Sequence, residues 1–266
     1  CTGLQIRLAQ FDSGSRLQDF FKEINNLAHF MWAFLFLNFP EIRTENKAVR
    51  RDNTMRTITV TYLFDPLCGW CYGASPLIQK LGQRKDITLA LAPTGLFAGG
   101  GRTMDAMFAD YAWSNDQRIA KLTGQRFTEV YRENVLGHHG SPFDSAAATL
   151  GLTAVFLSVP QRELEMLKAL QEARYVHGMD TCNMSVVEAL LRDLGLAVAA
   201  DLLAAIDAEM VVTNTARIQK ARGLMQAFGA QGVPALVIND GQDSRLLSGN
   251  ALYGSLDNLL RQIQVT

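Results

Sequence analysis

The sequence Cys68-Gly69-Trp70-Cys71 constrains this chain more than any other feature. It follows an apolar, β-branched run at 59–64, typical of a buried strand, and opens a helix-like stretch at 68–81. A cysteine at the start of a helix lies among unpaired backbone N–H groups at the positive end of the helix dipole, which favours a thiolate. The second cysteine comes one turn later, close enough to form a disulfide with the first. The pattern therefore predicts dithiol redox chemistry.

Three other interpretations of the two cysteines can be weighed from the sequence. A structural zinc site needs four ligands, and only Cys1 and Cys182 remain, without a second C-x-x-C. Two buried structural cysteines would also fit, because small thiols are common in protein cores. Covalent haem attachment requires a histidine after the second cysteine, where this chain has Tyr72. Haem attachment is thus excluded, while zinc and a structural pair stay as alternatives.

Composition limits the class of protein and its partners. The chain has 266 residues, 48% of them hydrophobic, which is enough for a buried core and one or two domains. Its 25 basic and 26 acidic residues give no electrostatic argument for nucleic acid or an anionic membrane as partner. The longest apolar stretch, 27–39, is shorter than the roughly 20 residues of a membrane-spanning helix and is poorly framed as a signal peptide. We therefore expect a cytoplasmic protein, with the periplasm as the alternative.

Residues 1–54 differ from the rest of the chain. Their last part, 43–53, is polar and charged, and Met55 stands just before the first convincing strand. We expect Met55 to be the native start, with 1–54 as a leader outside the native domain. The alternative is a true N-terminal extension with an amphipathic helix around 17–37.

The remaining sequence predicts an α/β fold with a large helical insertion. Strands are expected at 59–64, 86–92, 235–239 and 245–248, with a final helix at 255–263. Everything between the second and third strands reads as helical after a glycine-rich loop. The predicted domains are a small α/β domain of 55–100 and 229–266, and a helical insertion domain of 101–228.

Helix boundaries inside the insertion follow from capping signals. Ser141-Pro142-Phe143-Asp144 combines an N-cap, a first-turn proline and an acidic residue, and predicts a helix start. Ser185 opens a capping-box pattern and predicts another. Apolar periodicity predicts two further helices at 199–210 and 213–228.

This order of elements resembles the thioredoxin-fold DsbA family, and most closely its FrnE-like branch, whose members carry a large helical insertion. The stretch 62–73, which contains Cys68-Gly69-Trp70-Cys71, carries the most specific similarity. The segments 118–125 and Gly232-Val233-Pro234 support it, and the similarity extends over 55–265.

The resemblance implies roles for particular residues. Cys68 would be the attacking thiol and Cys71 the resolving one. Pro234 would be the cis-proline that faces the dithiol, and it would leave the Val233 backbone free to pair with an extended substrate. Trp70 would contact substrate from between the cysteines. On the sequence alone, Pro234 could also simply begin a strand.

Asp65 stands just before the dithiol and has two interpretations. An acidic side chain there could assist proton transfer to and from the thiols. An Asp-Pro pair also forms turns, which explains Asp65 and Pro66 equally well.

The implied function is thiol–disulfide exchange with protein or small-molecule thiols and disulfides, in a monomer or homodimer, with no metal or organic cofactor. Gly69-Trp70 departs from the Pro-His pair of strongly oxidising relatives, so oxidase, reductase and isomerase activities all stay open. The alternative is a glutathione-dependent isomerase or transferase of the related kappa-type branch. Those relatives have serine where this chain has Cys68, and they lack the second cysteine.

Overall fold

The computed structural model of the chain describes residues 58–264. The expected leader of 1–54, the Met55 start and the helix around 17–37 lie outside these described residues. The division into two domains at 101 and 228 likewise stays a prediction.

The described part of the chain is built on a mixed four-stranded sheet. Its strands are β1 (Ile58–Phe64), β2 (Ile87–Pro93), β3 (Ala235–Asn239) and β4 (Ser244–Ser248), in the spatial order β2-β1-β3-β4. β1 and β2 are parallel, whereas β1–β3 and β3–β4 are antiparallel. Each strand matches a run predicted from the alternation of β-branched and apolar residues.

Helices connect and cover this sheet, and most of them lie between β2 and β3. Helix α1 (Gly69–Gly82) joins β1 to β2, and the last helix, α9 (Leu256–Gln264), follows β4 after a 3₁₀ turn, Gly249–Tyr253. The helical insertion expected between β2 and β3 is therefore confirmed. Its helices are α2 (Ala106–Thr123), α3 (Glu129–Tyr131, continued by a π turn, Arg132–Leu136), α4 (Ala146–Ser158), α5 (Glu163–Tyr175, after a 3₁₀ turn, Pro160–Arg162), α6 (Met184–Asp193), α7 (Ala197–Ala205) and α8 (Ala208–Phe228).

The predicted helix start at Ser141 is wrong, because the backbone there is paired with another loop. Thr103 and Pro142 form an isolated antiparallel bridge, and the Met104 amide donates to the Ser141 carbonyl at 2.8 Å. Residues committed to such pairing cannot begin a helix. α4 instead starts after Ser145, and the Asp144 carboxylate accepts the Ala146 amide at 2.8 Å.

Two other boundaries inside the insertion also differ from the sequence pattern. The cap of α6 is Asn183 rather than Ser185, since the Asn183 side chain accepts the Ser185 amide at 3.0 Å. The break between the last two insertion helices falls earlier than expected. Ile206 adopts a left-handed conformation with φ of 38°, and the Asp207 side chain then caps α8 by accepting the Met210 amide at 2.8 Å. Local capping therefore outweighs apolar periodicity at the second of these positions.

The insertion contributes an aromatic cluster that packs against the start of α1. Tyr72 of α1 stacks on Tyr175 of α5 with ring centroids 4.9 Å apart, and Tyr131 meets the same ring edge-on at 5.1 Å. Such pairs each contribute about 0.5–1.5 kcal/mol beyond the area that they bury. The insertion is therefore joined to α1 by burial of large rings. The cluster also includes Leu67, Phe97, Phe108, Trp113, Phe127 and Phe143.

A side chain of the insertion also completes the hydrogen bonding of α1. Pro76 lies inside this helix and has no N–H to donate to the carbonyl of Tyr72, four residues earlier. The Gln125 amide donates to that carbonyl instead, at 3.0 Å. The proline is thus compatible with the helix because another element supplies the missing donor.

We predict that Gly73→Ala destabilises the protein by about 1–3 kcal/mol through overpacking between α1 and α2. A Cβ at this position would lie 2.6 Å from Ile119 Cγ2, closer than buried carbon atoms approach. Urea unfolding followed by circular dichroism measures the effect.

Gly223→Ala in α8 is the matched control, because nothing lies within 4 Å of a Cβ built there. Replacing this helical glycine should raise the free energy of unfolding by about 0.5–1 kcal/mol. If the free energy of unfolding changed by the same amount and in the same direction in both variants, a tight α1–α2 contact would be contradicted.

Candidate active site

The sheet topology brings three chain segments together at one edge. Because β1 and β2 are parallel, their carboxyl ends at Phe64 and Pro93 lie side by side. β3 runs the other way and begins at Ala235, opposite Leu63 of β1. The segment leading to Cys68 and the residues just before β3 therefore meet at this edge.

Cys68 occupies the N-cap position of α1. Its backbone is extended, with φ of −86° and ψ of 115°, and its side chain makes no capping hydrogen bond. The Cys68 thiol instead points to the Val233 carbonyl, 3.7 Å away, as a hydrogen-bond donor. The sulfur thus lies at the positive end of the helix dipole, where a negative charge is stabilised.

Cys71 lies one turn further into α1 and is fully buried. Burial raises the pKa of the Cys71 thiol well above its usual range, and a hydrogen bond with the Cys68 side chain adds to this. Cys68 itself is 7% exposed, whereas Cys71 is 0% exposed. Both cysteines are free thiols in this structure. The two thiols therefore differ in the way that dithiol exchange requires. Cys68 is partly accessible to solvent, whereas Cys71 is buried.

The Val233–Pro234 peptide bond is cis. The Val233 carbonyl, which precedes Pro234, lies next to the Cys68 sulfur. Gly249 packs directly on the Pro234 carbonyl, where any Cβ would collide with it. Only glycine allows this close backbone approach.

Asp65 is completely buried and accepts three hydrogen bonds. Its carboxylate receives the Leu67 amide at 2.9 Å, the Phe97 amide at 3.1 Å and the Ser145 hydroxyl at 2.8 Å. Burial raises the pKa of Asp65, although these hydrogen bonds oppose the rise. The bond to Leu67 is the Asp-Pro turn foreseen from the sequence. The charge of Asp65 also acts on Cys71, whose pKa it raises further.

Three tyrosines hold the backbone around the dithiol. Tyr175 of α5 donates to the Leu67 carbonyl at 2.8 Å, and Tyr253 donates to the Trp70 carbonyl at 3.2 Å. Tyr62 of β1 donates to the Cys71 carbonyl at 3.3 Å. These donors come from the sheet, the insertion and the C-terminal segment, so the position of the motif depends on the whole fold.

A groove of about 380 Å³ opens beside the dithiol. Trp70 forms one side of it, and its ring lies 5.3 Å from that of Tyr253. This volume lies within the range of small-molecule sites. Its lining includes Trp70, Val233, Pro234, Leu246, Ser248 and Tyr253.

Sequence reasoning missed several residues that build this site. Tyr253 and Tyr175 lie far from the motif along the chain and show no local signal. Gln125 belongs to the segment 118–125 that carried part of the resemblance, yet no role could be assigned to it. Ser145 follows the tetrapeptide that was taken as a helix start, and its hydroxyl serves Asp65 instead.

Two structural features are absent from residues 58–264. No group of three or more histidine, cysteine or acidic side chains that could hold a metal ion is found among them. None of the helices in this part of the chain is long and apolar enough to cross a membrane.

Residues 59–264 match the family model of the DSBA-like thioredoxin domain. The chain belongs to this family. The thioredoxin-like fold and the resemblance to the DsbA family are thereby confirmed. Together with the similarity to a solved disulfide reductase, this membership makes the chain a thiol–disulfide oxidoreductase.

Solved structures of the DsbA-like family include relatives that align over most of the chain. The cytosolic disulfide reductase DsbM from Pseudomonas aeruginosa is 30% identical, with a TM-score of 0.69, and the match covers 77% of this chain and 98% of DsbM. DsbM with glutathione aligns with a TM-score of 0.67 at the same 30% identity, over 78% of this chain and 100% of the relative. A Nitrosomonas europaea protein provisionally classed as a protein disulfide isomerase is 25% identical, with a TM-score of 0.62, and covers 77% and 98% respectively. No curated protein sequence matches the chain significantly.

The raised pKa of Asp65 predicts a pH dependence of stability. The folded protein binds the Asp65 proton more tightly than the unfolded chain, whose aspartates titrate near about 4. The stabilisation that the neutral Asp65 carboxyl provides is therefore complete below about pH 4. It is lost as the pH rises through the pKa that Asp65 has in the folded protein. We expect the unfolding free energy of the wild type minus that of Asp65→Asn to decrease as the pH rises above about 4.

Urea unfolding at a series of pH values measures this difference. Asp243→Asn, in the exposed turn between β3 and β4, serves as the control and should run parallel to the wild type. If the unfolding free energies of the wild type and Asp65→Asn differed by the same amount at every pH, the prediction would be contradicted.

Proposed function

We propose that this chain is a disulfide reductase that works through Cys68 and Cys71. The observation that supports it most is the Cys68 thiol at the N-terminus of α1, 3.7 Å from the carbonyl that precedes the cis-proline. A thiol in this position can attack a disulfide whose chain lies extended against Val233. Trp70 and Pro234 then form the adjoining walls of the substrate groove.

The proposed reaction has two exchange steps. The Cys68 thiolate attacks one sulfur of the substrate disulfide, which forms a mixed disulfide and releases the other substrate sulfur as a thiol after it gains a proton. Cys71 then loses its proton and attacks the Cys68 sulfur, which releases the second substrate thiol. The substrate gains two electrons and two protons, and the protein is left with a Cys68–Cys71 disulfide.

Asp65 is the proposed acceptor of the Cys71 proton. Its carboxyl is buried and its charge already acts on the Cys71 thiol. Burial raises the pKa of Asp65, so its carboxyl binds a proton more tightly than a solvent-exposed aspartate does and is a better proton acceptor.

The reductive direction and the cellular location rest on the relatives. DsbM, which is 30% identical over 98% of its length, is a cytosolic disulfide reductase. We therefore propose that this chain works in the cytoplasm, where disulfides are usually transient and catalytic. Membership of the FrnE-like branch is part of the same proposal.

Glutathione is the proposed small thiol that returns the protein to its reduced form. DsbM has been solved with glutathione. Two glutathione molecules would reduce the Cys68–Cys71 disulfide and leave as one oxidised glutathione, so that two electrons and two protons are transferred. The groove of about 380 Å³ next to Trp70 is large enough for a tripeptide of this size.

We predict that Cys71→Ser lowers multiple-turnover reduction of a peptide disulfide by about 10²-fold and accumulates a mixed disulfide on the other thiol. Serine cannot release the bound substrate, whereas Cys68 can still attack. Mass spectrometry of the quenched reaction identifies the adduct and its position. Cys182→Ser, outside α1 in the segment between α5 and α6, is the control and should keep wild-type turnover.

The same variant separates this proposal from a kappa-type glutathione transferase or isomerase. An enzyme of that class relies on the residue at position 68 and has no second cysteine at position 71. Undiminished turnover in Cys71→Ser, without a trapped adduct, would therefore refute the dithiol mechanism.

We predict that Trp70→Ala raises the KM for reduced glutathione about five- to tenfold, with a smaller change in kcat. Loss of an aromatic groove wall removes about 1–1.5 kcal/mol of contact with the substrate. Steady-state kinetics separates the two constants. Phe156→Ala removes an aromatic ring of α4 that is 42% exposed and outside the groove, and should leave the KM unchanged.

A further inference from the structure

A buried carboxyl that the proposed exchange steps do not use lies against the active-site motif. Asp116 belongs to α2 of the insertion and is only 5% exposed. A Cβ built on Gly69 would lie 2.6 Å from Asp116 Oδ1 and 3.3 Å from Ile119 Cδ1. The carboxyl therefore packs on the residue directly after Cys68, and a larger side chain at Gly69 would displace it.

The groups around Asp116 come from each element packed against it. Tyr131 of α3 donates to Asp116 Oδ2 at 3.0 Å. Arg174 and Tyr175 of α5 face it across the aromatic cluster, and Cys68 lies at the start of α1. Burial raises the pKa of Tyr175, and negative charges on Tyr131, Asp116 and Cys68 raise it further. Asp116 and Cys68 thus both lie close enough to Tyr175 to act on its phenol.

The charge on Asp116 changes near neutral pH. Burial raises the pKa of Asp116 to about 7, although the Tyr131 hydrogen bond and the Arg174 charge lower it. The carboxyl is therefore largely neutral below this value and largely ionised above it.

We propose that Asp116 is a positioning residue that sets the reducing strength of the dithiol, by placing a negative charge near the Cys68 thiolate at the same helix N-terminus. The inference deepens the proposed function and rests on it. A stabilised thiolate favours the reduced dithiol and makes a protein a stronger oxidant. The Asp116 charge opposes this stabilisation, so it favours the Cys68–Cys71 disulfide and makes the dithiol a stronger reductant.

The expected size of the effect follows from Coulomb's law. A unit charge within several ångströms of a thiol changes its ionisation equilibrium by roughly tenfold after screening. The effect requires an ionised carboxyl, so it should be present at about pH 8 and nearly absent at about pH 6.

The test compares the wild type with Asp116→Asn, which keeps an oxygen to accept the Tyr131 hydrogen bond. Each protein is equilibrated with reduced and oxidised glutathione, and the fraction with a Cys68–Cys71 disulfide is measured by thiol trapping. In this equilibrium two glutathione thiols supply the two electrons and two protons that convert the disulfide to the dithiol. We expect the equilibrium constant for reduction of the protein to rise about three- to tenfold in the variant at about pH 8, which is about 15–30 mV. At about pH 6 the two proteins should agree.

A second readout does not depend on turnover. The rate of iodoacetamide alkylation at Cys68, followed by peptide mass spectrometry, reports the thiolate fraction. At about pH 8 Cys68 should be alkylated faster in Asp116→Asn than in the wild type. Asp110→Asn, an exposed residue of the same helix, is the matched control and should change neither measurement.

Tyr131→Phe tests the same inference with the carboxyl left in place. Loss of the phenol removes the hydrogen bond that lowers the pKa of Asp116, so the carboxyl ionises at a higher pH. Tyr131→Phe is therefore compared with the double variant Tyr131→Phe/Asp116→Asn. The pH above which their equilibrium constants for reduction differ should be higher than the pH above which those of the wild type and Asp116→Asn differ.

The outcomes separate this inference from the proposed function. Equal equilibrium constants for wild type and Asp116→Asn at about pH 8, in proteins that still form the disulfide, would overturn the role of Asp116 alone. A shift of equal size at both pH values would also overturn it, since a purely structural disturbance has no reason to follow the ionisation of Asp116. Failure of the wild type to form the Cys68–Cys71 disulfide would instead overturn the proposed function.

Discussion

The arrangement of the first turn of α1 is the constraint on which the rest of the site depends. The carbonyls of this turn and of Leu67 just before it receive hydrogen bonds from tyrosines of β1, of α5 and of the segment after β4. Its glycine meets a carboxyl of α2, and its aromatic ring at Tyr72 stacks in the insertion. A thiol at a helix N-terminus can act in exchange only if that terminus is held still relative to the substrate-binding backbone. Here every layer of the fold contributes to that positioning.

The insertion is therefore more than a cover for the sheet. Gln125 donates a hydrogen bond to the Tyr72 carbonyl, which Pro76 cannot do. Ser145 donates a hydrogen bond to the Asp65 carboxylate. Only glycine fits at position 69, because a Cβ there would collide with the Asp116 carboxyl. The dipeptide between the cysteines and the helices packed against it thus form one unit, so a change in Gly69-Trp70 would need a matching change in α2.

The core of the fold was predictable because its signals are local. The run that forms β1 alternates β-branched and apolar residues, and the motif at Cys68 follows it at once. β3 and β4 flank an Asp240-Gly241 turn that marks a hairpin. The boundaries inside the insertion were less predictable, since Ser141 carries a good capping signal but its backbone is already paired across Thr103 and Pro142. Long-range pairing decided that position, and no sequence window contains it.

The sequence by itself determined the two thiols, their spacing on a helix and the strand that carries them, because these depend on neighbours within a few residues. Tertiary structure alone decided which distant groups surround them: the Val233 carbonyl at 3.7 Å from Cys68, the tyrosine donors and the Asp116 carboxyl. The charge on a sulfur responds to groups within several ångströms in space, whatever their separation along the chain. The chemistry was therefore readable from the motif, whereas the reducing strength that we propose for it depends on the packing of the insertion against α1.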